Sequence, residues 1–313
     1  MVTANFISVI LPCYNAAAYV EEAVESVFCQ SHQALEVIAV DDGSTDDSLL
    51  VLQRLARADS RLRVFSQPNR GPSAARNAAL RHARGAFLCF LDADDAFLPD
   101  KLRNQFSAFQ YLPAADLVYS DYFLGDSTLT PTGFVPTCIP GDDLLAAFAR
   151  RNWFAPMCPL LRRALLDRVG PFDEAIFGSE DWDFWIRCAL VGRFSYLPGP
   201  VAVYRFHPSQ LHTDSRRMDE SARRVAAKHF PPGSRLHHLS AACLRWSDAK
   251  DSFRAGRYGR TFTRLLQAEY HSLRAGGLSL SARDANTIVL PPAVGGAAAS
   301  NHFAHPGSAL LHQ

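Results

Sequence analysis

The stretch Gly85-Ala86-Phe87-Leu88-Cys89-Phe90-Leu91-Asp92-Ala93-Asp94-Asp95 constrains the fold most, because an unbroken apolar run stops abruptly at a cluster of carboxylates. Apolar residues without alternation suit a strand covered on both faces, as strands of parallel sheets usually are. A turn beginning at Asp92 can converge Asp92 and Asp94, with small Ala93 leaving room for a ligand. Carboxylates so close repel unless something positive joins them. Mg²⁺ or Mn²⁺ suits the pattern, since either takes one or two carboxylates and fills its shell with substrate oxygens. Helix capping is the alternative: Pro99 and Asp100 look like the first turn of a helix over Lys101 to Phe109, whose positive end favours acids.

The 313 residues are ample for a buried core. Lysines and arginines number 32 against 31 acids, so the global field gives no reason to expect nucleic-acid binding. The seven cysteines include no C-x-x-C pair and mostly interrupt apolar segments, as buried thiols of a reducing compartment do. The N-terminus lacks the basic flank of a signal peptide, and no apolar run approaches the roughly 18 residues of a membrane span. These features predict a cytoplasmic protein without an integral membrane segment.

Taken in order, Ile7 to Leu11 reads as a β-branched strand stopped by Pro12, which leaves Pro12-Cys13-Tyr14-Asn15 as a loop. Tyr19, Val20, Ala23, Val24, Val27 and Phe28 recur at helical spacing, and Leu35 to Val40 returns as a strand ending at Asp41-Asp42-Gly43-Ser44-Thr45-Asp46. Strand, helix and strand make a right-handed parallel unit. A further unit follows: Leu62 to Phe65 as a strand, the loop Asn69-Arg70-Gly71-Pro72-Ser73, and a helix through Ala74 to His82 with Ser73 as its N-cap. In open parallel sheets the loops at the carboxyl ends of strands meet in a ligand crevice. Tyr14, Asp42 and Asp92 are therefore expected to share one site.

After Asp116-Leu117-Val118-Tyr119-Ser120 the chain becomes irregular, which predicts an excursion over the site near Thr128 to Asp143. Glu180-Asp181-Trp182-Asp183-Phe184-Trp185 opens a helix that Ser179 is placed to cap. Acids in a first turn serve the helix dipole, but the neighbouring Trp182, Phe184 and Trp185 suggest a sugar-packing face and a water-poor setting that raises a carboxylate toward general-base range. Val201 to His207 reads as a late strand ending in Arg205 and His207, with His207 either a surface or core histidine or a metal or phosphate contact. From Asp214 onward, basic side chains outnumber acids by about two to one. They form either a solvated helical face or a surface attracted to anions.

These blocks resemble the family 2 glycosyltransferases, inverting enzymes of the GT-A fold that use nucleotide-sugar donors. The resemblance covers roughly Phe6 to His207. It rests on Ser8 to Asn15, Val40 to Asp46, Gly71 to Asn77, Leu91 to Asp95, and Glu180 to Asp183. It implies an α/β chain with a Rossmann-like, mainly parallel sheet flanked by helices, as a GT-A domain over 1–210; the residues beyond it are expected to form a helical C-terminal extension over 211–285 and a flexible tail over 286–313. Pro12 and Tyr14 would border the base of the nucleotide, probed further by Asp42, with Arg76 toward the donor and Asp92 on the ribose or metal. Asp94, with His207 as a weaker transfer, would hold a divalent cation, Mg²⁺ or Mn²⁺. Asp181 would be the general base.

The resemblance further implies transfer from a nucleotide-sugar donor, UDP-linked if Asp42 reads the base, to a glycan or lipid-linked acceptor; the basic helices, outside the resemblance, suggest peripheral membrane association. The processive-synthase Gln-x-x-Arg-Trp signature is missing, which favours transfer of one or few sugars. No Gly-x-Gly-x-x-Gly follows the first strand, which disfavours a dinucleotide oxidoreductase. The rival within the fold is a nucleotide-sugar-binding protein without turnover.

Overall fold

The computed structural model describes residues 5–207, 210, 215–254 and 258–275. The stretch 286–313, expected to be a tail, lies outside them. The N-terminal half is built from parallel units: β1 (Ile7–Cys13), α1 (Val20–Phe28), β2 (Leu35–Asp41), α2 (Ser48–Ala58), β3 (Leu62–Ser66), α3 (Pro72–His82) and β4 (Phe87–Phe90). β1 pairs in parallel with both β2 and β4, and β2 with β3. The chain thus builds outward from β1 to β3, then reverses to place β4 on the other side of β1. The carboxyl ends of β1 and β4 face one crevice at this reversal.

Pro12 does not end the first strand. Pro12 and Cys13 stay in register with Val40 and Asp41 of β2. Ile7 donates to Ala34 and Cys13 accepts from Asp42 on the β2 side, whereas Ile10 accepts from Leu91 on the β4 side. Pro12 shares the parity of Ile10, so its nitrogen faces β4, whose pairing ends at Phe90. A missing donor is harmless there. Ser73 is likewise not a cap: α3 starts two residues earlier, with Gly71 at the N-cap and Pro72 in the first turn. The Ser73 hydroxyl instead points to the Ile176 carbonyl.

The remaining elements are β5 (Ala96–Phe97), α4 (Lys101–Tyr111), β6 (Leu117–Gly125), β7 (Pro131–Val135), α5 (Leu144–Arg150), β8 (Leu160–Arg162), α6 (Arg163–Val169), α7 (Glu180–Val191) and β9 (Phe194–Arg205). Among the described residues the sheet runs β3-β2-β1-β4-β8-β6-β9-β5, with β7 on β6. Antiparallel pairings enter only in this half, at β4–β8, β6–β8, β5–β9 and β6–β7. The sheet is therefore mixed, with its parallel part at the crevice. The irregular excursion contains β7, and Val135 and Pro136 at its end reach the crevice wall.

The core is aromatic where α7 meets the sheet. Phe90 packs edge-on against Phe172 and Phe184, and Phe154 lies against Trp185. Phe184 and Trp185 are fully buried. These two rings hold α7 in place and offer no sugar-packing face. α8 (Ser215–His229), α9 (Arg235–Arg254) and α10 (Tyr258–Arg274) follow, with α9 packed on α5 and α10 on α9.

Candidate active site

The crevice is a cleft of about 1030 Å³, and Pro12, Tyr14, Asp42, Arg76, Asp92, Asp94, Asp181 and His207 all line it. These eight residues, proposed from the sequence as site residues, thus reach one space.

The loops after β1 and β2 are stitched together before any ligand arrives. Asn15 accepts from the Thr45 N–H at 2.8 Å, the Ala16 N–H donates to Ser48 Oγ at 2.8 Å, and the Ala17 N–H donates to Asp46 at 3.0 Å. Tyr14, 51% exposed, is left projecting at the mouth. Asp42 is buried and largely committed. Its Oδ1 accepts from Gln67 Nε2 at 2.7 Å and the Arg70 N–H at 3.0 Å, and its Oδ2 from the Gly71 N–H at 2.7 Å. The carboxylate therefore clamps the loop before α3 and retains limited capacity for a base. Gly71 sits at φ +89°, and a Cβ there would stand 2.9 Å from the Phe177 ring. The loop's path requires glycine.

Arg76 is buried and paired at both ends, with Nη2 2.6 Å from Asp92 and Nη1 2.7 Å from Glu180. It ties the end of β4 to the start of α7. Its charge is raised further into permanence because the two carboxylates outweigh burial. Burial pushes the Asp92 carboxyl up, Arg76 opposes this, and nearby Asp94 adds to it.

Asp94 and His207 meet because β5 pairs antiparallel with β9, Ala96 opposite Val203, which brings the residues after β9 over the acidic turn. His207 Nε2 lies 3.0 Å from Asp94 Oδ2, and Gln210 Nε2 approaches the same oxygen at 3.3 Å. Arg205 braces the turn: its N–H donates to Asp95 at 2.9 Å, its Nε to the Asp94 carbonyl at 2.6 Å, and its Nη2 to Glu22 at 2.6 Å. Asp95 is fully buried, and burial with Asp94 and Asp92 beside it raises its carboxyl well above the usual range. Its role is to fix the turn. Among the described residues no group of three or more His, Cys, Asp or Glu is arranged to hold a metal. Asp94 and His207 would offer a cation two ligands, a set that fits one completing its shell with water and phosphate oxygens and not a closed structural zinc site.

α7 delivers three acids with three fates. Glu180 is held by Arg76 and by the Gly178 N–H at 2.7 Å. Asp183 is fully buried against Arg187, Lys228 and His229, and its carboxyl is pushed far down by these partners against the opposing effect of burial. It fastens α7 to α8. Glu180 and Asp181 both line the cleft, but Asp181 has no basic partner there among the described residues. Burial raises its carboxyl to about 7, reinforced by Glu180 and opposed by Arg76, Asn152 and the Trp182 N–H. Ser179 occupies the N-cap position, but its hydroxyl makes no capping bond. Trp182, though on the cleft wall, is 4% exposed and donates Nε1 to the Phe148 carbonyl at 3.0 Å.

Sequence reasoning missed Asn152, whose Nδ2 donates to Asp181 Oδ2 at 2.7 Å while its Oδ1 is buried with no hydrogen-bond partner among the described residues. It also missed Gln67 on Asp42 and Gln210 on Asp94. All three lie in irregular segments, where no periodicity singles out a side chain.

Comparison with known proteins is consistent with this geometry. The model of the family described as "Glycosyl transferase family 2" matches residues 8–137. An uncharacterized glycosyltransferase of Nostoc sp. is 32% identical over 218 residues, 66% of this chain and 66% of that protein. The first curated relatives are matched over 16% to 66% of their own length. Among solved structures, S. aureus TarS with UDP-GlcNAc superposes with a TM-score of 0.61 at 19% identity, over 85% of this chain and 92% of that one. Mannosyltransferase PcManGT from Pyrobaculum calidifontis, with GDP-Man and Mn²⁺, gives 0.58 at 23% identity, over 89% and 76%. At such identities these likenesses establish the fold, a mixed α/β sheet with flanking helices of the GT-A type. Ordered strand ends, a shared cleft and the family match agree: the chain belongs to the family 2 glycosyltransferases.

Proposed function

We propose that the protein is an inverting glycosyltransferase that moves a sugar from a nucleoside-diphosphate sugar, expected to be UDP-linked, to a hydroxyl of a glycan or lipid-linked acceptor. The observation that carries this is Asp181, a carboxylate raised to about 7 in the cleft that also holds Tyr14, Asp92 and Asp94. The catalytic domain is assigned to 1–210 and the helical extension to 211–285, of which 211–214, 255–257 and 276–285 lie outside the described residues. Cell-surface polysaccharide or lipopolysaccharide synthesis at the inner face of the membrane is the expected setting. None of the described helices is long and apolar enough to cross a membrane.

Tyr14 and Pro12 take the base, Tyr14 by stacking on it. Asp42 accepts from the base N3–H with its remaining lone pair, and its clamp on Gly71 keeps the loop in position. Asp92 meets the ribose, with Arg76 holding it in place. Asp94 and His207 would hold a divalent cation, which supplies charge neutralisation to the leaving diphosphate. Asp181 takes the acceptor hydroxyl proton, and Asn152 keeps its carboxylate aimed. Attack from the face opposite the leaving group inverts the anomeric centre without a protein nucleophile. TarS with UDP-GlcNAc and PcManGT with GDP-Man and Mn²⁺ support a nucleotide-sugar donor and a cation in this fold.

Titration of UDP, GDP and dTDP with and without Mn²⁺, repeated on Asp94→Ala, tests the donor site. Metal-dependent UDP binding that weakens in the variant is expected, and no binding of any nucleotide to folded protein rejects the assignment. Sugar release from a UDP-sugar panel, absent in Asp181→Asn, then separates an enzyme from a binding protein without turnover.

A further inference from the structure

Leu266, Tyr270 and Leu273 on α10 are 57%, 55% and 65% exposed. Their i, i+4, i+7 spacing puts them on one face of the helix. Ala268 and Ser272 are buried and mark the other side, toward α9. Beside the exposed ridge, Arg260, Thr263, Arg264 and Gln267 repeat at the same helical spacing and, with Arg245 of α9, line a cavity of about 470 Å³. α10 carries three arginines against a single acid, Glu269.

We propose that this face of α10 docks the protein on an anionic phospholipid surface, the ridge entering the acyl boundary and a lipid phosphate entering the arginine-lined cavity. The two features complement each other. An apolar ridge flanked by arginines is what an interfacial helix presents to a charged bilayer. A protein interface needs roughly 20–30 residues a side, far more than three side chains. The location also fits: Cys243, Leu244 and Ser247 of α9 line the catalytic cleft, while Arg245 of the same helix lines the cavity. The cleft is one helix away from the docking face. The inference rests on the lipid-linked acceptor proposed above for its purpose, and its measurement does not depend on turnover.

The test is sedimentation of the full chain with vesicles of phosphatidylcholine alone and of phosphatidylcholine mixed with phosphatidylglycerol. Variants are Leu266→Ser with Leu273→Ser, and Arg260→Gln with Arg264→Gln, each checked for an unchanged thermal melt. Partition onto the anionic vesicles alone is expected. It should fall about fivefold for each arginine removed and more than tenfold for the ridge pair. Equal partition onto neutral vesicles, no pelleting of the unaltered protein, or pelleting indifferent to both variant pairs overturns the proposal. So does displacement by soluble glycerol 3-phosphate, which would make the cavity a site for free phosphoesters. A dimer in solution that the ridge pair dissolves would assign the ridge to a second copy instead. UDP titration on the same preparations separates failure of docking from failure of the donor site.

Discussion

Asn152 Nδ2 donates to Asp181 Oδ2 across 2.7 Å, so the segment after α5 grips the carboxylate that α7 turns into the cleft. This bond favours the charged form of Asp181, whereas burial favours the neutral one. The proposed mechanism needs the charged form as base. kcat/KM should therefore rise by about tenfold per pH unit below the carboxyl's titration near 7 and level off above it. In Asn152→Ala that limb should move to higher pH, with donor affinity unchanged. A pH–rate profile of the two proteins checks this, and coincident limbs would remove Asn152 from its positioning role.

The same burial has a stability consequence with a definite sign. Asp181 holds its proton up to about 7 in the folded protein but only to about 3.8 in the unfolded chain. Between those values the unfolded state has released the proton and the folded state has not, so this group's contribution falls as pH rises through the window. Asp181→Asn, expected to abolish catalysis, removes that penalty. Thermal melts should show the variant more stable than the parent at about pH 8, with the difference fading toward about pH 4.

Arg76 lies between Asp92 and Glu180 with almost no solvent exposure. Truncation to alanine leaves two carboxylates facing a void. Arg76→Ala should lose about 3–5 kcal/mol of folding stability, measurable by urea unfolding. Arg76→Lys keeps the charge but not the two-pronged reach, and should recover only part of that loss.

Gly71→Ala places a methyl group against Phe177 in a backbone region that side chains rarely adopt. Strain of about 1–3 kcal/mol is expected, along with weaker UDP binding as the loop shifts off Asp42. Tyr14→Ala is the contrasting case. Its ring is half exposed, so stability should be unchanged while UDP affinity falls roughly tenfold or more through lost stacking. Melts and titrations on both variants check the contrast.

The parallel half was legible because β1, β2 and β4 are long apolar runs ending at polar clusters, a pattern that specifies both strand and site edge. Pro12 misled because whether a strand tolerates proline depends on which neighbour its nitrogen faces, and that is set by where β4 stops. α2 went unanticipated. β5 and β8, of two and three residues, are too short for periodicity to register, so the antiparallel half was not foreseen. In the acidic start of α7, local pattern could not choose between Glu180, Asp181 and Asp183, since all three suit a helix N-terminus. The family resemblance points to Asp181; in the structure Arg76 holds Glu180, and the basic side chains of α7 and α8 hold Asp183. Those partners are distant in sequence.

With the roles proposed for Asp92 and Asp181, the Arg76 bridge also makes the two halves of the reaction electrically interdependent. One guanidinium neutralises Asp92 beside the donor and Glu180 next to the base. A ligand that draws Asp92 away leaves more of that positive charge for Glu180 and Asp181, which lowers the basicity of Asp181. One that pushes charge toward Asp92 does the reverse. Donor occupancy and the proton affinity of the base are then linked quantities, and each must shift the other by the same free energy.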